Sequence, residues 1–318
     1  MKNFLKISLI VFITLGITSC SDDDDSNPGP QTNTIADFVA SNNDYTSLKA
    51  ALDKTGLTAT LNGQGDFTVF APNNDAFAAF LTANGFASLD EVPTDLLTNV
   101  LLNHVVNGKV MASDLSTGYI NTLAIEASSG ANLSMYVDIS SGVKLNGMSS
   151  VTTADIAADN GVIHAVNTVI TLPTVVTFAT ADPTFTILVA ALTRDDQPDF
   201  VGILSTSEGT SPAPFTVFAP TNEAFTNLLV ELGASGLNDI DGPTLTAALN
   251  THVIAAANVR AENLVNGVVS TLGADLVVDA DNAIIEDPNG RMSNIIVVNV
   301  QAANGVVHVI DKVLLPQL

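Results

Sequence analysis

Four histidines are the residues best suited to chemistry in this chain, because an imidazole can hold a proton, a metal or a hydrogen bond near neutral pH. They are His104, His164, His252 and His308, and each stands alone. No His-x-His, Cys-x-x-Cys or His-Glu-x-x-His spacing offers a ready metal cage. Ligation by pairs of these rings across the fold stays open; the plainer expectation is one internal hydrogen bond from each half-buried ring. Ser141-Gly-Val-Lys144 has the spacing of an acyl-enzyme Ser-x-x-Lys, but that chemistry needs a helix to bring the amine to the hydroxyl. Here the surrounding residues favour turn and strand. Asp275, Asp279 and Asp281 would suit calcium if they converged, yet alternation along a strand accounts for them and no EF-hand loop surrounds them. With no Gly-x-Ser-x-Gly, P-loop or dinucleotide fingerprint, the expectation is a protein that is not an enzyme, with no catalytic residues, metal or cofactor.

The elements that must position the histidines come in two copies. Phe67-Thr-Val-Phe-Ala-Pro-Asn-Asn-Asp-Ala-Phe77 recurs 148 positions later as Phe215-Thr-Val-Phe-Ala-Pro-Thr-Asn-Glu-Ala-Phe225. The apolar run predicts a strand that ends at the proline, which has no amide to donate. Asn73 or Thr221 then caps a helix, Asp75 or Glu223 places a carboxylate in its first turn, and Phe77, Phe80 and Leu81, or Phe225, Leu228 and Leu229, form its apolar stripe. Two further blocks repeat in order. Leu101 to Val110 is matched by Leu249 to Ile254, and Asn160 to Ile170 by Asn304 to Leu314. Leu97, Val100, Leu101 and His104 share one helical face, and from Gly108 to Ile170 the pattern changes to short strands with hairpin signals at Asn146-Gly147 and Asn160-Gly161. Between the leading helix and the signature strand, copy two is eight residues longer, within a polar loop from Arg194 to Pro214. No flexible linker separates the copies, which predicts a restricted arrangement of the two.

These blocks resemble the signature segments of the fasciclin (FAS1) domain family of extracellular adhesion and ligand-binding modules. The resemblance implies an α+β fold of two tandem fasciclin-like domains, residues 32–173 and 174–318, each a helical first half packed on a β-rich wedge or sandwich. In animal members a Tyr-His pair in the central helix region is linked to integrin binding. Asn103 and Thr251 precede His104 and His252 here, and no Arg-Gly-Asp occurs, so that activity does not carry over and the two histidines match only as scaffold.

Residues 1–19 read as a signal peptide: Lys2 and Lys6 precede an apolar run too short for an ordinary membrane span, which ends at Ile17-Thr-Ser-Cys20. This resembles a bacterial lipoprotein signal, which implies acylation of Cys20. Cys20 is the only cysteine, so the fold has no intramolecular disulfide. Residues 20–31 form the acylated cysteine and an acidic, Pro-containing tether, in which Ser21 is followed by Asp22, Asp23, Asp24 and Asp25, four like charges that repel one another and stay extended. The run resembles the signal by which Bacteroidota export lipoproteins to the outer leaflet of the outer membrane. With 10 Lys plus Arg against 33 Asp plus Glu, the net charge is -23, and loss of Lys2 and Lys6 takes it to -25. Such a field repels nucleic acid and anionic membranes.

Two functions follow. One is a lipid-anchored cell-surface adhesion module that binds a surface protein or a glycan; three Tyr and no Trp favour protein contact over ring stacking on sugar. The other, from family members that carry carotenoid or lipid-like ligands, is a carrier of an apolar small molecule in the cell envelope. A periplasm-facing position is the alternative to the cell surface.

Overall fold

The computed structural model describes residues 33–317. The signal segment, Cys20 and the run Ser21 to Asp25 lie outside the described residues. Copy one opens with α1 (Ile35–Ser41), α2 (Thr46–Thr55), α3 (Thr58–Asn62), β1 (Phe67–Pro72), α4 (Asn74–Ala83), α5 (Thr94–Leu102) and β2 (Val105–Asn107). The strands β3 (Gly118–Ile125), β4 (Asn132–Asp138), β5 (Lys144–Leu145), β6 (Ser149–Ala158) and β7 (Gly161–Val166) complete it. Copy two repeats the order with α6 (Val175–Ala181), α7 (Thr186–Leu192), α8 (Phe200–Leu204), β8 (Phe215–Pro220), α9 (Asn222–Leu232), α10 (Gly242–Thr251) and β9 (Val253–Ala255). Its remaining strands are β10 (Gly267–Ser270), β11 (Asp275–Asp279), β12 (Ile284–Glu286), β13 (Met292–Ala302) and β14 (Gly305–Ile310).

The signature block folds as its residues dictate. β1 ends at Pro72, the Asn73 side chain accepts from the Ala76 amide, and Phe77 and Phe80 are buried. Thr221 caps α9 in the same way, over buried Phe225 and Leu228. Each copy carries one seven-stranded sheet, in the order β2-β1-β7-β6-β5-β4-β3 or β10-β11-β12-β13-β14-β8-β9. Within copy one, β1 and β7 run parallel, with Phe67 opposite Gly161 and Phe70 opposite His164, while the other neighbours are antiparallel. Register shifts in β6 around Thr153, where Asp155 has a φ of 61°, bend the sheet on itself. Two cores result. Helices bury Ile35, Leu48, Phe77 and Leu97 against one face, and Phe70, Met135, Val137, Leu145 and Ile170 fill the bend. That bend is the expected wedge.

The closing block is tied to the helices by one asparagine per copy. Asn160 accepts from the Ile35 amide at 2.9 Å and donates to the carbonyls of Leu61 and Gly63 at 2.7 and 3.0 Å. Asn304 repeats this with Val175, Leu204 and Thr206. The hairpin differs from the sequence expectation by one residue: Ala158 pairs with Gly161, so the turn is Asp159-Asn160 and the glycine belongs to β7. The glycine is there for space. A Cβ at Gly161 would enter the Phe67 carbonyl, and one at Gly305 the Phe215 carbonyl.

The two copies pack directly on each other, as the missing linker predicts. Tyr119 and Tyr136, opposite one another on β3 and β4, present their rings to copy two. Tyr136 is buried in the same cluster as Phe178 and Val300. Tyr119 meets Phe178 edge-on at 5.5 Å and donates its hydroxyl to Asp182 at 2.9 Å. Burial, then the Asp182 carboxylate, raises its pKa. The Ser134 hydroxyl accepts from the Gln301 amide, and Asn258 donates to Glu126. Beside that contact Glu126 and Glu208 share a hydrogen bond. Burial disfavours the Glu126 charge, but hydrogen bonds from Glu208, Ser128 and Ser129 outweigh it and hold its pKa at about 2. Burial, the bond to Glu126 and the Glu126 charge push Glu208 up to about 7.

Two outcomes follow. Glu208 binds its proton more tightly folded than unfolded, so its contribution is full below the ordinary carboxyl range and is lost as pH rises through 7. Amide exchange at residues 126–131 and 205–209 is therefore expected to speed up between about pH 5 and about pH 8, beyond the intrinsic increase, and Glu208→Gln to flatten that change. Asn304→Ala strands the buried Val175 amide and Leu204 carbonyl and the half-buried Thr206 carbonyl, which is expected to cost roughly 2–4 kcal/mol in urea unfolding; a loss under about 0.5 kcal/mol would remove the asparagine from this role.

Candidate functional site

The histidines are scaffold, and more deeply so than their sequence suggests. His104 follows α5, where its Nδ1 donates to the Val100 carbonyl at 2.8 Å and its Nε2 accepts from the Ile170 amide at 2.8 Å. His252 does the same after α10, with Ala248 and Leu314. A ring that must accept at one nitrogen is neutral, and burial lowers both pKa values to about 4. His164 donates from Nε2 to the Val110 carbonyl and accepts the Asp155 amide. His308 donates from Nε2 to Val259. The expectation of one bond per half-buried ring is thus corrected: all four are buried, and three use both nitrogens. Asn103 is equally structural, since its amide donates to the carbonyls of Ile170 and Thr171.

The other candidates do not converge. Asp275 and Asp279 stand at opposite ends of β11, about 13 Å apart along an extended strand. Asp279 instead holds the Asn282 turn, and Asp281 accepts from Asn266. Ser141 and Lys144 are exposed, with Lys144 in β5 and no helix joining them. Among the described residues, no group of three or more His, Cys, Asp or Glu is placed to hold a metal ion.

Two features of the described residues are candidates for binding. The first is an apolar cavity of about 210 Å³ in copy two, between α6, α7, α8 and β8, lined by Val176, Ala179, Leu188, Val201, Leu204 and Val217 among others. In copy one the comparable space, walled by Leu48, Leu57, Leu61 and Val69, is about 20 Å³. The difference traces to the eight extra residues. Leu61 and Leu204 are equivalent, because Asn160 and Asn304 bind their carbonyls. Three of the extra residues therefore precede α8 and five follow it, so the helix is retained but tethered by longer arms and leaves space behind it. Sequence located the insertion; it could not show that the cavity opens beneath it.

The second feature is the outer face of the copy-two sheet. Val268 lies opposite Val277, Val277 opposite Glu286, and Glu286 opposite Met292, a row that crosses four strands. Val268, Val277 and Met292 are 69%, 46% and 58% exposed. β10 is an edge strand, so the row ends at open backbone. Sequence reading missed this face, although a comparison of the copies carries the signal: Tyr119 and Tyr136 occupy the positions of Val268 and Val277.

Comparison with known proteins agrees with the fold. The family model described as Fasciclin domain matches residues 43–173 and 183–316. The transforming growth factor-beta-induced protein ig-h3 of Sus scrofa is 31% identical over 280 residues, covering 85% of this chain and 38% of that protein. Protein sll1483 of Synechocystis sp. is 38% identical over 141 residues, 44% of this chain and 74% of that protein. The cell surface glycolipoprotein MPB83 of Mycobacterium bovis is 34% identical over 146 residues, 45% of this chain and 60% of that protein. In structure, the chain is similar to a FAS1 domain pair from the insect cell adhesion molecule Fasciclin I, with a TM-score of 0.51 and 18% identity over 85% of this chain and 97% of that one.

Because His104 and His252 have folded pKa values of about 4, below the ordinary imidazole value, the stability they contribute is full at neutral pH. It is lost as pH falls from about 6.5 toward 4, by roughly 3 kcal/mol for each ring. Imidazole nitrogen shifts in an NMR titration are expected to report neutral rings at pH 5.5; charged rings there in the folded protein would contradict the assignment.

Proposed function

The chain belongs to the fasciclin-domain family, and on that premise we propose that it is a cell-surface adhesion module held by a lipid on Cys20. The fasciclin domain is an adhesion and interaction fold, and relatives of this chain include a cell surface glycolipoprotein. The observation that carries the proposal is the exposed row Val268, Val277 and Met292 on the copy-two sheet, a face that water solvates poorly and a partner would cover. In this reading residues 20–31 are the tether, and Ser21 to Asp25 direct export to the outer leaflet of the outer membrane. The partner is a surface protein before a glycan, since valines and a methionine offer contact area but no ring for a sugar to stack on. A net charge of -23 keeps nucleic acid away.

A second reading rests on the cavity. At about 210 Å³ it exceeds the roughly 150 Å³ of an apolar cavity that admits benzene, but lies below the usual 300–1,000 Å³ of drug-sized sites. It would take the end of an apolar ligand, such as a terminal ring or the end of an acyl chain. The remainder would pass beside Val201, which reaches solvent.

Three measurements separate these readings. Protease shaving of intact cells is expected to remove residues 33–318 while a periplasmic control survives; survival of the chain until the outer membrane is breached would assign it to the periplasm. Val268→Glu is expected to lower adhesion about ten-fold with an unchanged unfolding midpoint, and unchanged adhesion would exclude the face. Ala179→Phe fills the cavity, and is expected to abolish naphthalene fluorescence enhancement if the second reading holds while leaving adhesion intact.

A further inference from the structure

The face proposed for adhesion has a twin inside the molecule, and the twin is occupied. β3 and β10 both begin at a glycine of positive φ, Gly118 at 144° and Gly267 at 130°. From there Tyr119, Asn121, Ser134 and Tyr136 correspond to Val268, Ser270, Asp275 and Val277, pair by pair in the same register. In copy one this face receives copy two, chiefly through Phe178, Asp182 and Gln301. We propose that the face of copy two receives copy one of a second molecule of this chain by the same docking mode. The inference rests on the adhesion reading, since it names the occupant of that face.

The residues that would meet are altered in matching ways. Phe38 stands where Phe178 does, one helix turn into α1; Phe178 is fully buried, whereas Phe38 is only partly buried, against Tyr45 at 5.3 Å. Tyr119 donates to Asp182 inside the chain. At the free surfaces Val268 replaces the tyrosine and Asn42 the aspartate, so hydroxyl and carboxylate vanish together and neither is stranded. Charge changes in step as well. Ser134 bonds the Gln301 main-chain amide across the observed contact, and Asn258 bonds the Gln301 side chain within copy two. Their counterparts are Asp275 and Lys109, matched through the strand register and through the equivalent bonds of Thr68 and Thr216 to the carbonyls of Gly108 and Ala257. A negative side chain on the open face would thus meet a positive one on the open end of copy one. The loop from Asp287 to Arg291 stands where Gly147 approaches Ala181, and it is drawn down onto residues 313–315 by bonds to Val313 and Leu315, so that contact is not repeated. Nor are those of Glu126 and Ser129 with Asn258, because the β10–β11 hairpin turns at residues 271–274 and has no counterpart to them. Such an interface is heterologous, and the assembly proposed is the open chain of molecules that its repetition builds.

Sedimentation velocity of the purified chain over a concentration series tests this. The expected result is mass that grows beyond a dimer, with Val268→Glu remaining a monomer. Asp275→Lys and Lys109→Asp are each expected to weaken association about five-fold, and the double reversal to restore it. A single monomer mass at every concentration, a closed dimer, or charge reversals that fail to compensate would overturn the proposal. If the wild type is monomeric while Val268→Glu still abolishes adhesion to a foreign surface, self-docking is refuted and the adhesion reading stands.

Discussion

The first strand of each copy lies one in from the edge of its sheet, with the last strand running parallel beside it, Phe67 against Gly161 and Phe215 against Gly305. A parallel pair cannot be joined by a tight turn, so everything between must be built outward from this seam and return to it. The seam is fixed at one end by the glycine that lets the backbones approach and by the asparagine before it, whose amide binds α1 and α3, or α6 and α8, to the strand. At the middle, His164 and His308 stack on Phe70 and Phe218. The helical layer and the bent sheet therefore hang on the same few residues, and the polar ones are spent on backbone groups that burial would otherwise leave unpaired.

That spending occupies both ring nitrogens of His104, His164 and His252. A histidine that donates at one nitrogen and accepts at the other has neither a lone pair for a metal nor a proton to trade. The parts that differ most between the copies lie away from the seam. In copy two they are the lengthened arms of α8, with a cavity behind them, and the outer sheet face, where valines replace the tyrosines that dock the copies together.

The seam was legible in the sequence because its chemistry is local: a strand ended by proline, a cap, an Asn-Gly pair, each repeated. Burial of the histidines was half-legible. Helical spacing placed His104 on the apolar face of α5, but the second bond of each ring comes from Ile170 or Leu314, more than sixty residues away. The turn at Asp159-Asn160 was misplaced by one residue, since Asn-Gly is read as the centre of a turn and here the glycine is needed for close approach instead. The cavity and the contact between the copies are products of spacing in three dimensions. No window of sequence contains both Tyr119 and Phe178.

The two copies thus share a scaffold and differ in what they leave uncovered, and function is assigned to the difference. The most direct test of the proposed adhesion is peroxide labelling of Met292 and Met148, the two exposed methionines among the described residues, with the chain bound to a target surface. Met292 lies on the open face of copy two, and Met148, 43% exposed in copy one, serves as the internal control. Slower oxidation of Met292 in the bound state with Met148 unchanged is the predicted result; equal oxidation of Met292 bound and free would contradict the account.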